Sequence, residues 1–423
     1  MPTEKKTRHC EWEEGRLRFR FAGIVTILLA CFGWAAWFYP FDDLVDRSGK
    51  PLGGDFVMLY VAGQAFAEGS PLYDDALNQK RSAALFPAMD PHESWPYRYP
   101  PTVAAVASLF ARLPFATSFI AFCFIQIVLL GVSLWLLLPL LRTQSKKQND
   151  LSIVANKSWL LALLGCPIVL ECILGGQCSL LALTCVSLFL HLHHRGYSFF
   201  AGCVLAIALY KPNVLGLFIV GILVAYPRYT IGFAVTAIVG LATTCWLAGI
   251  DSLQNYIQLA FQLSQGAWGL ETPYWKVHGF APTFQSLLPA HGKLTAGLLG
   301  LALSICIAVR HRKQKLDWDA TVASLLVVNA IFNPYIPIYD LVLLIPATIY
   351  TVRHLRNSES NINPIAAQLM LASLWLGPHI SQAASIALGF QIFPWLLSLV
   401  AIVTLAKRKP ALEKQSISAA LAP

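Results

Sequence analysis

Charge is what this sequence has least of. Only 13% of its 423 residues are Asp, Glu, Lys or Arg, against about 25% in soluble domains, and the mean hydropathy is +0.58. A water-soluble globular chain is thereby excluded. Paired cysteines are missing as well. The ten cysteines form no CxxC or CxxH pair; Cys31, Cys123, Cys166, Cys185, Cys203, Cys245 and Cys306 sit inside apolar runs and Cys10 in a basic tail. A disulfide framework and a zinc site are excluded on that pattern, which leaves the cysteines as small packing residues. No GxGxxG, Walker loop, GxSxG or HExxH stands in a suitable context, so soluble nucleotide-driven chemistry has no visible site and a donor substrate is expected to come from the membrane. No internal repeat occurs at a helical-pair or half-chain period. No small-residue cleavage pattern follows the apolar run from Phe21, which therefore reads as a retained anchor.

Long apolar runs are what the chain does have. "FAGIVTILLACFGWAAWFY" (21–39) and "FATSFIAFCFIQIVLLGVSLWLLLPLL" (115–141) reach the roughly 20 residues that cross a bilayer. Further apolar segments cover 158–174, 178–192, 198–210, 212–226, 229–249, 294–309, 319–332, 339–352, 365–386 and 391–406. The expected fold class is an all-α polytopic membrane protein with about 12 transmembrane helices. Its organisation is a cytoplasmic basic tail (1–20), a membrane domain (21–406) and a second cytoplasmic tail (407–423). The net charge of +9 invites a nucleic-acid reading, but the basic residues cluster in short loops between apolar runs, as the positive-inside bias requires. Starting from a cytoplasmic "RLRFR", alternation puts "RTQSKK", "HHR", "PR", "RHRKQK", "RHLR" and "KRK" all on the inner side. His191, His193 and His194 belong to that basic flank.

The outer side receives the large first loop (41–114), the turn "GGQ" (175–177), the turn at Lys211, the loop 250–293 and "NPYIPIYD" (333–340). Between 41 and 100 nine acids (Asp42, Asp43, Asp46, Asp55, Glu68, Asp74, Asp75, Asp90 and Glu93) outnumber five bases (Arg47, Lys50, Lys80, Arg81 and Arg98). Residues 55–68 have near-helical apolar spacing and predict a helix lying along the membrane surface. "PTVAAVASLFARL" (101–113) is too short to span and predicts a re-entrant or interfacial helix that starts at the proline pair.

Polar groups near the bilayer are the informative ones, since an ionisable side chain at a helix centre costs about 2.5–3.5 kcal/mol. Asp55, Arg98, Gln177, Lys211, His278 and Asp340 all fall on the outer side, at or near helix ends. Each carries two readings. Asp55 in "GGDF" is either an N-terminal helix cap or a functional carboxylate beside glycines that let backbone approach closely. Arg98, between Tyr97 and Tyr99 in "YRYPP", either snorkels or pairs with a lipid phosphate. Lys211 marks a helix end facing water or an anion. Gln177 either caps the next helix or hydrogen-bonds a sugar hydroxyl. His278 and Asp340 are a loop histidine and a possible cap when taken alone.

In order, "GGDFVMLYVAGQAFAEGSPLYD", "YRYPPTVAAVASLFARLPF", "LGGQCSLLALTCVSLFL", "AGCVLAIALYKPNVLGLFIVGIL" and "NPYIPIYDLVLLIPA" resemble glycosyltransferase family 87 over roughly residues 20–350. The resemblance implies a GT-C type fold with a large first extracytoplasmic loop carrying interfacial helices. It implies an inverting transfer of a sugar, mannose in the mycobacterial members, from a polyprenyl-phosphate donor to a lipid or glycan acceptor. The enzyme would lie in a bacterial inner membrane with its site facing the periplasm. Asp55 would be the general base, Arg98 and Lys211 the candidates for the donor phosphate, and Tyr99, Gln177, His278 and Asp340 further substrate-binding positions. No metal ligand set and no cofactor is expected. The expected partners are donor, acceptor and membrane lipids, with no nucleic acid. The rival readings are a lipid-linked sugar transporter or flippase, which the missing repeat disfavours, and a polysaccharide polymerase or ligase.

Overall fold

The structure is a computed structural model that describes residues 44–46, 49–89, 96–141, 165–264, 274–357 and 364–406, with a few helical positions between 21 and 32. Both expected tails, most of the first span, the basic loop 142–147 and Asp42, Asp43, Asp90 and Glu93 lie outside the described residues. Among those described, helices and turns account for the whole architecture. In chain order they are α1 (Asp55–Ala67), α2 (Asp75–Leu85), α3 (Pro101–Ala107), α4 (Phe115–Leu141), α5 (Pro167–Leu174), α6 (Ser179–His194), α7 (Ser198–Ile207), α8 (Pro212–Ala225) and α9 (Thr230–Ser264). They continue as α10 (Ala281–Leu287), α11 (Gly292–Arg312), α12 (Trp318–Phe332), α13 (Leu344–Asn357), α14 (Pro364–Leu388) and α15 (Phe393–Ala406).

Among the described residues three helices are long and apolar enough to cross a membrane: Phe115–Pro139, Pro227–Gln262 and Gly292–Arg312. Their outer faces carry exposed Ile120, Phe124 and Trp135, then Ile231, Ile238 and Trp246, then Leu294 and Leu298. Stripes of large apolar side chains on helices whose backbone bonds are closed internally are what a hydrocarbon solvent accepts and water does not. The chain is an all-α membrane protein. Shorter apolar helices of 10–17 residues include Asp55–Ala67, Ser179–His194, Pro212–Ala225 and Trp318–Phe332.

The chain divides into two compact units, Met1–Leu215 with Arg228–Pro273 and Ile338–Val342, and Gly216–Pro227 with Tyr274–Pro337 and Leu343–Pro423. In the first, α4 packs on α6, α6 on α7, α7 on α9, and α3 on both α1 and α9. The α7–α9 crossing is close because glycine stands at the contact on each side. A Cβ on Gly202 would lie 2.1 Å from the Tyr229 carbonyl oxygen, and one on Gly232 2.0 Å from that of Phe199, a small-residue packing typical of helices in lipid. Helix α9 kinks at Gly249 (φ 78°, ψ 159°), where positive φ suits glycine, and a second helical stretch runs on to Ser264.

The first external loop folds differently from its amphipathic expectation. Helix α1 is buried on all sides, with Phe56 through Gly63 and Ala65 covered, rather than lying with one face on a membrane surface. Phe56 anchors it among Phe110, Phe115, Phe119 and Phe122, ring centroids 4.7–5.9 Å away. Burying one such ring stabilises by about 1.5–3 kcal/mol, and the tilted and edge-on pairings add to that. The proline-initiated helix occurs as expected, as α3 with Pro100 at its N-cap, followed by a 3-10 turn at Phe110–Arg112. In the second unit α12 is buried along nearly its whole length and packs on α11, α13 and α15.

Candidate active site

The first unit owes its site to two glycine turns that cross. Gly53 and Gly54 precede α1 with φ of 85° and 50°, and Gly176, with φ 69°, follows α5. The Asp55 N–H donates to the Gly175 carbonyl at 3.1 Å. A Cβ on Gly176 would sit 2.1 Å from the Gly53 carbonyl oxygen, and one on Gly54 2.8 Å from that of Gly175. Gly54 and Gly176 are therefore required for backbone to meet backbone. "GGD" and "GGQ", 122 residues apart in sequence, are the two halves of one joint.

The joint sets Asp55 in the first turn of α1. Gly54, not Asp55, is the N-cap, and no side chain caps the helix, so the capping explanation of Asp55 does not apply. The Nε2 of the neighbouring Gln177 donates to the Gly175 carbonyl at 3.5 Å, and this amide favours the ionised form of the Asp55 carboxyl. Gln177 is 3% exposed and its Oε1 is buried without a hydrogen-bond partner; it does not cap α6, whose N-cap is Cys178. Part of Asp55 remains open, yet the surrounding protein is dense enough that burial pushes its carboxyl above the usual value of 3.8. Against that rise act the Gln177 amide and the charges of Lys211 and Arg98, while Asp340 reinforces it.

Lys211 and Asp340 form a buried ion pair, with Nζ 3.0 and 3.1 Å from the two carboxylate oxygens. Asp340 is fully buried and Lys211 8% exposed. Ser179 donates a third hydrogen bond to Asp340, and the ammonium also lies 5.0 Å from the centre of the Tyr339 ring. Asp340 sits in a 3-10 turn, Ile338–Leu343, where it serves as this lysine's partner rather than as a cap. Burial works against the Lys211 charge, and the Asp340 carboxylate more than restores it, so the ammonium is held above the usual lysine value. Removing one member of a buried pair leaves the other charged and alone, which costs about 3–5 kcal/mol. Lys211→Met is accordingly expected to lower the unfolding free energy by on the order of 3 kcal/mol, read as a fall in detergent thermal melts. Combining it with Asp340→Leu should recover most of the loss, and unchanged stability of the single variant would contradict the pair.

Arg98 is a cation with spare capacity. It is half-buried, and among the described residues its buried Nε has no hydrogen-bond partner. Asp55 and Asp75 both feel its charge. Tyr99, also buried, accepts through its backbone carbonyl the hydroxyl proton of Tyr73 at 2.8 Å. The Tyr210 hydroxyl donates to the Cys178 carbonyl at 2.6 Å and closes the cluster beneath Gln177.

Of the positions singled out in the sequence, Asp55, Arg98, Tyr99, Gln177, Lys211 and Asp340 share the first unit. His278 belongs to the second. There it is fully buried, neither ring nitrogen has a hydrogen-bond partner, and its ring meets Phe393 edge-on at 6.5 Å. Burial, and then the charge of His379, push its imidazole down to about 3, so it is neutral at physiological pH. Ser179, Tyr210 and Gly175 were not singled out. Their only sequence signal was proximity to "GGQC" and to Lys211. Among the described residues no three of His, Cys, Asp and Glu come together as a metal-binding group.

The sequence profile of glycosyltransferase family 87 matches residues 97–334, more than half of the chain. This chain belongs to glycosyltransferase family 87. No curated protein and no solved structure matches it. The family 87 match contains Arg98, Tyr99, Gln177, Lys211 and His278 and begins after Asp55, so the carboxylate joins the candidate site through the glycine joint. A transferase acting on a sugar donor and an acceptor, rather than a transporter or flippase, is what family 87 membership means for the chain.

Proposed function

We propose that this glycosyltransferase moves a sugar, with mannose as the first candidate, from a polyprenyl-phosphate donor to a hydroxyl of a lipid or glycan acceptor. It would do so with inversion, in a bacterial inner membrane with the site open to the periplasm. The observation that carries the reading is a partly open carboxyl, Asp55, held beside an arginine that has a buried donor to spare.

In that reading the acceptor hydroxyl meets the ionised Asp55 carboxylate. Its oxygen attacks the anomeric carbon, its proton passes to Asp55, and the bond from that carbon to the phosphate oxygen breaks. The electron pair leaves with the polyprenyl phosphate. A base so placed contributes typically 10²–10⁴-fold, provided it lies within hydrogen-bond reach. The departing phosphate needs charge stabilisation rather than a proton. Arg98 supplies it, since a guanidinium pairs bidentately with phosphate oxygens. Lys211 is committed to Asp340 and acts on Asp55 through its field. The Gln177 amide favours the ionised Asp55 carboxylate, and its buried Oε1 accepts a sugar hydroxyl.

The test is incubation of the purified full-length protein with a panel of polyprenyl-phosphate sugars and, separately, nucleotide sugars. Release of polyprenyl phosphate from the mannose donor is the expected result; consumption of nucleotide sugars alone would overturn the donor assignment. With the consumed donor, Arg98→Gln is expected to lower kcat/KM by roughly 10²–10³-fold, the usual loss when a donor to a developing anion is removed. Wild-type donor use by that variant would remove Arg98 from the phosphate site.

A further inference from the structure

Outside the Asp55 cluster, the first unit has a groove of about 280 Å³ between the turn before α2 and the second stretch of α9. Tyr73 and Asp74 form one wall; Asn255, Gln258, Leu259 and Gln262 form the other. The three amides and Leu259 stand at i, i+3, i+4 and i+7, which is one face of the helix. The same stretch exposes Ile250, Ile257 and Phe261 in another direction. A helix that gives lipid-type side chains to one side and amides to the other has sorted a polar stripe into the groove.

The chemistry of the lining is selective. Amide side chains each offer two donors and a carbonyl acceptor, and a carboxylate offers further acceptors. One Asp74 oxygen is taken by the Leu77 N–H at 3.0 Å, which leaves the second for a ligand. Among the described residues no cation lines the groove, so a phosphate finds no counter-charge there, whereas a ring of neutral hydroxyls needs none. Tyr73 adds an aromatic surface of the kind that covers the apolar C–H face of a sugar, held by the rings of Tyr97 at 5.6 Å and Tyr256 at 6.2 Å. The volume is at the small end of ligand pockets, about 300 Å³, and suits a single sugar ring.

The groove also adjoins the reacting groups. Tyr73 bonds the backbone of Tyr99, which lies in the field of Asp55. Asp75, next to the wall residue Asp74, lies in the field of Arg98.

We propose that this groove is an acceptor subsite that holds a neutral sugar ring of the molecule receiving the transferred sugar. The assignment of the acceptor role rests on Asp55 as the transfer site; the groove's affinity for a sugar does not. A glycosylated acceptor follows, so the reaction that supplies it must itself be a glycosyl transfer.

The first measurement is titration of the full-length protein in nanodiscs with methyl α-mannoside and methyl β-glucoside, followed by saturation-transfer NMR. Saturable binding of at least one glycoside is expected for the wild type and for Asp55→Asn. The double variant N255A/Q258A should bind about tenfold more weakly or worse, the combined effect of two lost hydrogen bonds. Both positions are exposed, so its melting temperature should not move. Gln258→Trp, which fills the groove instead of emptying it, should give the same loss. In turnover with the consumed donor, N255A/Q258A should raise the acceptor KM by about tenfold and leave kcat and donor KM near wild type. Absence of saturable binding, binding indifferent to both groove variants, or a rise in donor KM alone would overturn the proposal. Full turnover by Asp55→Asn would remove the base while leaving the glycoside titration to decide the groove.

Discussion

Asp55→Asn is expected to abolish sugar transfer while leaving the protein folded and membrane-inserted. Asparagine keeps the shape, but an amide does not accept the acceptor's proton. The loss should reach 10²–10⁴-fold in kcat, about what a positioned base supplies, with substrate binding largely kept. The carboxyl stands above its ordinary value of 3.8, chiefly because of burial. The acid limb of the wild-type rate profile should therefore lie above the pH of a free aspartate, with activity rising as Asp55 ionises. The same rise has a stability consequence. For an acid whose folded pKa is raised, the folded state holds the proton more tightly than the unfolded one, and stability falls as pH climbs through the window from 3.8 to the raised value. Above that window the ionised carboxylate is a burden, so Asp55→Asn should melt no lower than wild type at neutral pH, and higher if anything. Rate measurements and melts across pH check both parts. Wild-type turnover, or a clear fall in melting temperature, would contradict them.

Gly176→Ala should be more damaging than its size suggests. The new methyl would lie 2.1 Å from the Gly53 carbonyl oxygen and 2.6 Å from the Phe56 backbone nitrogen, and backbone cannot step aside as a side-chain tip can. The φ of 69° adds strain for any L-residue, on the order of 1–2 kcal/mol. Together these place the substitution among the exceptional losses above about 4 kcal/mol. The expected outcome is little folded protein, or a folded protein whose Asp55 joint has opened and whose turnover is lost. Gly69→Ala is the matched comparison: it shares a positive φ of 66°, but its new methyl would meet nothing within 4 Å, so only the strain remains. Equal behaviour of the two variants in melts and turnover would show that the crossing is not what holds the site.

Much of the helical framework was legible because its signals are local. The run 115–141 became α4 with the same ends, and Pro101 began α3 as a first-turn proline should. The grouping of Asp55, Arg98, Gln177, Lys211, His278 and Asp340 followed from counting apolar runs and putting every basic turn on one side; all of them but His278 fall in the first unit. Helix α1 was misread because its weak periodicity suggested one buried face, whereas aromatic partners from α4 and from the turn after α3 cover it all round. The caps expected of Asp55, Gln177 and Asp340 were reasonable from position alone. The N-caps are instead Gly54 and Cys178, and Asp340 pairs with Lys211, 129 residues away in the chain.

Composition and hydropathy by themselves made this a helical membrane protein, because burial of apolar surface and closure of backbone hydrogen bonds are properties of each segment on its own. The order of its motifs made it a glycosyltransferase of family 87. Which cation is free was a tertiary decision. Arg98 and Lys211 read alike in sequence, and only the fold brings Asp340 within 3.0 Å of Lys211 and leaves the Arg98 Nε without a partner. Charge pairing depends on distance between side chains remote in the chain, and distance of that kind exists only once the backbone has folded.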